Sequence, residues 1–541
     1  MKDMPFFVGE TTTAGPAPPA SRALLQSLVA CWTGSVCIGT SIGYAGSAWT
    51  SLKRDPHFAD IDPFWFHSLG LVGAVGGAVI GALSAQSLGR CRTMAVSVVG
   101  ILCTWLCVGC AQEVWYLYTG RFINGFFAGM LSLVVPAQIS ELADPRNRGL
   151  QGARHFIGML IGSIYVTLLG RYVTWSMLAF TCLLPVAVLV PLSWFLVESP
   201  RWLLQIGQRE RAMEMQRNLR KEPVEANAEF KLMEKAFSGT PMPSLHYWLS
   251  THIMFTQQFC GANMAATCAS VLMSPAGVYA DREDTDLAIL ITQVAVALAA
   301  LPLVDTVGRL RLLVVSANVC VASMISLGSM YPNMLIDAAS ETTTSTLSTT
   351  ANATDLDVGV TIVPGSRLGL VFLIVFFFGY ALGIGSVTWI QAAELTPLRG
   401  HGVEFGSVCT FHWACAFCSV TFFERVRAGF SFGEMAWFYG TLTLANGLVL
   451  YYFMPETKHL PLESILLDEC PIEDMLGRRR SITLGSLSRG KRPTFPSVGY
   501  ALGVSLPSSG PHVKSDSTSF EVPSPFKSDR SPGVTQEQPP S

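Results

Sequence analysis

Charge is what this chain has least of. Of its 541 residues only 14% are Asp, Glu, Lys or Arg, against roughly 25% in a soluble domain, and its mean hydropathy is +0.41. A soluble chain of this length divides into domains with charged faces, and that class is excluded. The formal net charge of −2 supplies no basic surface, so no nucleic-acid partner is expected. A phosphate-cradling glycine loop, a nucleophile elbow and a cluster of metal ligands are also missing. No enzymatic activity, no cofactor and no metal is therefore expected. The first 22 residues have no apolar core of signal-peptide length, which points to a cytoplasmic N-terminus. The 14 cysteines form no framework: Cys107 and Cys110 have a C-x-x-C spacing without a second pair or a histidine at a zinc-like interval. Twelve fall in or at the ends of apolar spans and Cys91 and Cys470 in predicted cytoplasmic segments, so they read as small packing residues.

What the chain does have is long apolar runs. A membrane-crossing helix needs about 20 mainly apolar residues. The sequence predicts twelve, near 25–48, 66–87, 93–112, 115–140, 150–170, 174–196, 246–272, 286–304, 311–331, 367–392, 403–423 and 433–453. The fold class is an all-α membrane protein of two six-helix units. The expected organisation is a cytoplasmic N-terminus over 1–24, bundles over 25–197 and 246–454, a cytoplasmic linker over 198–245 with short helices, and a largely disordered cytoplasmic tail over 455–541. Glycine rows such as Gly70, Gly73, Gly77 and Gly81 permit close helix approach.

Basic residues set the orientation. The connections that are inner when the N-terminus is inside carry Arg90 and Arg92, Arg146 and Arg148, Arg309 and Arg311, Arg399, and eight more between 198 and 245. The outer ones hold seven. Asn352-Ala353-Thr354, the one N-x-S/T sequon, falls in the connection 332–366, on the predicted outer side, where glycosylation is expected at Asn352. Both termini are expected in the cytoplasm, with the plasma membrane as the location.

Three short patterns recur in the same order in the two halves, the mark of a duplicated bundle. Gly89-Arg90-Cys91-Arg92 matches Gly308-Arg309-Leu310-Arg311. Glu141-Leu142 with Arg148-Gly149 matches Glu394-Leu395 with Arg399-Gly400, and Glu198 matches Glu456. All lie at inner helix ends, where guanidinium forks and carboxylates can pair. A cytoplasmic gate is expected from Arg90, Arg92, Glu141, Arg148, Glu198, Arg201, Asp305, Arg309, Arg311, Glu394, Arg399 and Glu456. Such pairs close the inner face in one state and part in another.

Over about residues 25–465 the chain resembles the sugar porter family of the major facilitator superfamily. The resemblance rests on Gly120-Arg121-Phe122, on Glu198-Ser199-Pro200-Arg201-Trp202-Leu203-Leu204, on Gln257-Gln258 with Gly261 and Asn263, and on Pro455-Glu456-Thr457-Lys458. The stretch from Tyr44 to Trp49 is similar to arthropod facilitated trehalose carriers, and the family includes facilitative glucose carriers. The resemblance implies a small-molecule substrate, a sugar, bound near the midplane by amides of the seventh span. Amides suit an uncharged polyol because they donate and accept. On an ideal helix Gln257 and Asn263 do not share a face, so the span is expected to bend or unwind near Gly261.

Several positions depart from the family. A glutamine expected in the fifth span is Phe156, paired tyrosines of the seventh become Thr267 and Cys268, and the asparagine before Trp413 is His412. An expected aspartate is Gln86, although its counterpart Asp305 persists, and Trp389 remains to stack on a sugar ring. The expected substrate-binding set is Gln257, Gln258, Asn263, Trp389, Phe156, His412 and Thr267. His412 reads either as a group that meets substrate or protons or as a satisfied core histidine, and His155 and His252 read as core. Proton-coupled members carry an aspartate after the Gly-Tyr of the first span; here Gly43-Tyr44 is followed by Ala45. Facilitated diffusion follows. The open alternatives are another organic solute such as a polyol, urate or an organic ion, proton symport, or a sensor that moves nothing.

Overall fold

The computed structural model describes residues 21–58, 60–220, 222–238, 244–273, 282–331, 367–396, 401–426 and 429–467. The connection 332–366 with Asn352, the gate candidate Arg399, residues 1–20, the tail from 468 with Cys470, and the side chain of Cys268 lie outside them.

The first half is Arg22–Lys53 (α1), Pro63–Ser87 (α2), Arg90–Gly109 (α3), Val114–Leu142 (α4), Arg148–Gly170 (α5) and a sixth crossing made of Trp175–Thr181 (α6) and Leu183–Ser193 (α7). The starts are written in the sequence. Ser21 accepts a hydrogen bond from the Leu24 amide, Asp62 caps α2 ahead of Pro63, and Thr174 caps α6, each satisfying amides that a helix end leaves free. Cys91, expected in a loop, sits in the first turn of α3.

Three short helices follow: Pro200–Gln205 (α8), Arg209–Leu219 (α9) and Pro223–Ser238 (α10). The second half is Ser244–Gln258 (α11) with Ala262–Met273 (α12), Arg282–Thr306 (α13), Arg309–Met330 (α14), Arg367–Leu382 (α15) with Thr388–Leu395 (α16), His401–Val426 (α17) and Phe432–Phe453 (α18). Leu462–Leu467 (α19) ends the described chain. Nine helical segments among the described residues are by themselves long and apolar enough to span a bilayer. The seventh crossing breaks between Gln258 and Ala262, with Gly261 at φ +91°, the bend expected from the sequence. The tenth breaks as well, over 383–387, which hydrophobic patterning did not predict.

Each half packs through small residues. A Cβ on Gly73 or Gly77 would strike the backbone of Phe122 or Phe126, so α2 and α4 touch main chain to main chain, as close-packed membrane helices do. Across the halves α2 meets α17 and α5 meets α13. One apolar cluster threads both halves, while Val99, Leu184 and Val188 stay more than half exposed, as a lipid-facing surface requires.

Candidate functional site

The repeated patterns build a seam at one end of the helices, the end the sequence is expected to place inside, and they do so in two ways. Gly89 and Gly308 hold φ at +93° and +107°, which lets a carboxylate reach the first amides of the next helix. Glu198 accepts from the Arg90 and Cys91 amides at 2.9 and 3.2 Å. Glu456 accepts from those of Arg309 and Leu310 at 3.0 and 3.2 Å. A side chain at either glycine would collide with that carboxylate. Burial raises the Glu198 carboxyl above the usual carboxylate range, against the opposing pull of the Ser199, Arg90 and Cys91 amides. Glu198 and Glu456, expected as partners of arginine side chains, are thus helix caps that neutralise an exposed N-terminal dipole.

The guanidinium groups pair elsewhere. Arg90 meets Glu141 at 2.7 Å within the first half, and Arg309 meets Asp305 at 3.0 Å and Glu394 at 3.6 Å within the second. Only some contacts cross. Arg148 lies 3.8 Å from Glu394, the Leu150 amide donates to Asp305 at 2.7 Å, and Arg148 also donates to the Leu460 carbonyl at 3.1 Å. Arg201 bonds the Glu141 carbonyl and pairs with Glu463 at 2.7 Å. Glu463 was missed in the sequence because it lies beyond the last span. Arg92 and Arg311 are exposed and form no ion pair among the described residues, so they stand apart from the seam. These contacts join the two halves at this end of the helices. Next to Trp389, a cavity of about 10 Å³ lies between Pro136, Ser140, Arg148, Gly152 and Ile390, at the lower limit for one water.

Above the seam the two broken crossings meet. Gln257 donates to the carbonyls of Ile384 and Gly385, both at 3.2 Å, so one broken helix holds the other's unwound backbone. Gln258 lies 3.3 Å from His412 Nε2, and the His412 ring sits 4.6 Å from that of Trp389. Trp413 donates to Ser132 of α4 at 2.9 Å, a further bond across the halves. Asn263 is 3.4 Å from Ser419, which in turn donates to the Gln258 carbonyl at 3.0 Å. Phe156 packs on Gly385 and Tyr380 and lines the site without a polar contact. Thr267 donates to Asn263 O within its own helix. His155, read from the sequence as a core residue, lies 5.5 Å from Trp389 and is bonded to Ser35 at 2.8 Å.

Arg121 is buried between the rings of Tyr44 and Phe66, at 5.5 and 5.6 Å, and donates to the Ser41 carbonyl at 3.3 Å. No carboxylate among the described residues pairs with it.

This geometry can be set against known proteins. The family described as "Sugar (and other) transporter" matches residues 27–467. The chain belongs to this family. The facilitated trehalose transporter Tret1 of Polypedilum vanderplanki is 24% identical over 462 residues, covering 82% of this chain and 87% of that protein. The mouse (Mus musculus) solute carrier family 2, facilitated glucose transporter member 6, is 26% identical over 486 residues, covering 86% and 94%. The solved structure of the proton:xylose symporter XylE bound to 6-bromo-6-deoxy-D-glucose superposes with a TM-score of 0.67 at 19% identity, covering 82% of this chain and 98% of that one. The transporter therefore has the major facilitator fold, twelve crossings in two related halves, and is a multi-pass membrane protein.

Proposed function

We propose that this transporter is a uniporter for a sugar or similar polyhydroxylated solute, working by alternating access in the plasma membrane with both termini in the cytoplasm. The observation that carries the reading is the uncharged cluster of Gln257, Gln258, His412 and Trp389 where two broken crossings meet between the halves. Amides and imidazoles match hydroxyl groups in both donating and accepting, and an indole face stacks on the apolar side of a pyranose. Broken helices at the interface of two repeats are where carriers of this kind bind their cargo. Asn263, Phe156 and Thr267 complete the binding set, and the relatives named for trehalose and glucose support a sugar.

In this reading the two units, 25–197 and 246–454, rock about the cluster, and the linker 198–245 stays inside. The gate is carried by Arg148, Arg201, Asp305, Glu394 and their partners, with Arg90, Arg309, Glu141, Glu198 and Glu456 holding each half rigid. The uniport reading is supported by Arg121, which among the described residues has no carboxylate partner that protonation could release. Asn352 is the glycosylation site.

Purified transporter in proteoliposomes, offered labelled trehalose, D-glucose, D-fructose and urate with and without an imposed pH gradient, tests this. The expected result is saturable equilibration of at least one sugar, equal with and without the gradient. Accumulation driven by protons defeats uniport, and uptake of urate alone defeats the sugar.

A further inference from the structure

Two imidazoles, one from each half, pack against the indole of Trp389. His155 of α5 lies 5.5 Å away at 78° between the ring planes, and His412 of α17 lies 4.6 Å away at 60°. Both are buried, at 0% and 4% exposure. Each has one ring nitrogen bonded and one without a partner: His155 Nε2 and His412 Nδ1 are buried and unsatisfied. A buried polar atom left unpaired is costly, and two on rings that both pack against one indole call for a common cause.

The tautomers are assigned from the partners of the bonded nitrogens. Ser35 Oγ donates its hydrogen to the Cys31 carbonyl at 3.0 Å, so toward His155 Nδ1, at 2.8 Å, it accepts. Nδ1 then carries the hydrogen, and Nε2 is a bare acceptor. At His412 the neighbour is the Gln258 amide nitrogen, 3.3 Å from Nε2, and an amide nitrogen only donates. His412 Nε2 therefore accepts, and its Nδ1–H is a donor.

We infer that His155 is a substrate-contacting, specificity-determining residue of the central site: its Nε2 accepts from a hydroxyl of the cargo while His412 Nδ1–H donates to one, each half contributing one hand of the grip on a solute stacked at Trp389. This rests on the sugar reading of the site and extends it to the first half, where Phe156 supplies no polar group. A cargo hydroxyl satisfies both orphaned atoms. Ser35 is a positioning residue that fixes the His155 tautomer.

The test compares wild type with His155→Leu, His155→Gln and Ser35→Ala in proteoliposomes, using whichever of trehalose, D-glucose and D-fructose is taken up. Its monodeoxy and monofluoro analogues serve as competitors. His155→Leu is expected to raise KM about fivefold, the loss of one uncharged hydrogen bond, with maximal rate within about twofold. His155→Gln, which restores an acceptor, recovers most of the loss, and Ser35→Ala shows an intermediate rise. The decisive readout is a single ring position at which the deoxy and fluoro analogues both compete poorly against wild type, because fluorine cannot donate, yet compete like the parent sugar against His155→Leu. A residue that only packs moves the melting temperature and leaves this pattern flat. If His155→Leu fails to fold, the same comparison on Ser35→Ala and His155→Gln decides. Unchanged KM in all three variants, or equal analogue penalties in variant and wild type, overturns the role of His155 alone. Absence of uptake for every sugar overturns the sugar reading and this inference with it.

Discussion

Arg148 of the first half and Glu394 of the second face each other at 3.8 Å with side chains 1% and 0% exposed. Glu394 is shared: Arg309 stands 3.6 Å from it and the Thr457 hydroxyl donates to it at 2.6 Å. Because Arg309 belongs to the same half as Glu394 and Thr457 follows directly on that half's last crossing, parting the halves takes away Arg148 and leaves that carboxylate partly satisfied. The arginine has less to fall back on, since its bond to Leu460 O runs to the segment after the last crossing.

Arg148→Ala is therefore expected to open the inner face. Removing one member of a buried pair costs about 3–5 kcal/mol in general, and most of it here falls on the closed state. In a background free of native cysteines, Ser140→Cys at the edge of the closed cavity reports the change. Its labelling from the inner side by an impermeant thiol reagent should rise at least tenfold when Arg148→Ala is added.

Gln86→Asp is expected to act in the opposite direction. Asp305 caps the start of α5 through the Leu150 amide, and at the related place Gln86 faces Gly402 near the start of α17. A carboxylate there gains about 0.3–1 kcal/mol from the helix dipole. Labelling of Ser140→Cys should fall and net uptake should slow by a factor of about two to five.

The caps separate charge from hydrogen bonding. Glu198→Ala abandons the Arg90 and Cys91 amides and is expected to cost about 1–2 kcal/mol. Glu198→Gln keeps an acceptor and loses a charge that burial disfavours, so its melting temperature should stay near wild type. A Gln variant as unstable as the Ala variant would show that the charge itself matters.

The outer side offers a contrast in magnitude. Arg171 at the end of α5 pairs with Asp284 of α13 at 2.6 Å, but Asp284 is 53% exposed. Exposed pairs contribute about 0–1 kcal/mol, so Asp284→Asn should change uptake less than about twofold, and the difference should vanish in high salt.

Much of this architecture is legible in the sequence because lipid imposes a simple rule: apolar runs of spanning length, with arginines at the inner ends. The bend at Gly261 was readable from Gln257 and Asn263, which an unbroken helix cannot aim at one solute. The break over 383–387 was not, since glycines in an apolar run look the same whether they permit close packing or unwinding. A sequence also cannot say whether Glu198 meets a guanidinium or an amide; the positive φ at Gly89 decides it. His155 was passed over because a lone histidine among apolar neighbours is usually core, and only its distance to Trp389 distinguishes it. Glu463 was hidden by its place after the last crossing, where polar sequence reads as tail.

The closed seam has a further consequence for how temperature and solvent act on the carrier. Arg148 and Glu394 gave up their hydration to meet, so water that enters a parting seam solvates both, and the net work of opening is a small remainder of two large opposing contributions. Such a remainder is easily tipped. A neutral change several residues away can invert the resting preference between inward and outward exposure without weakening the fold.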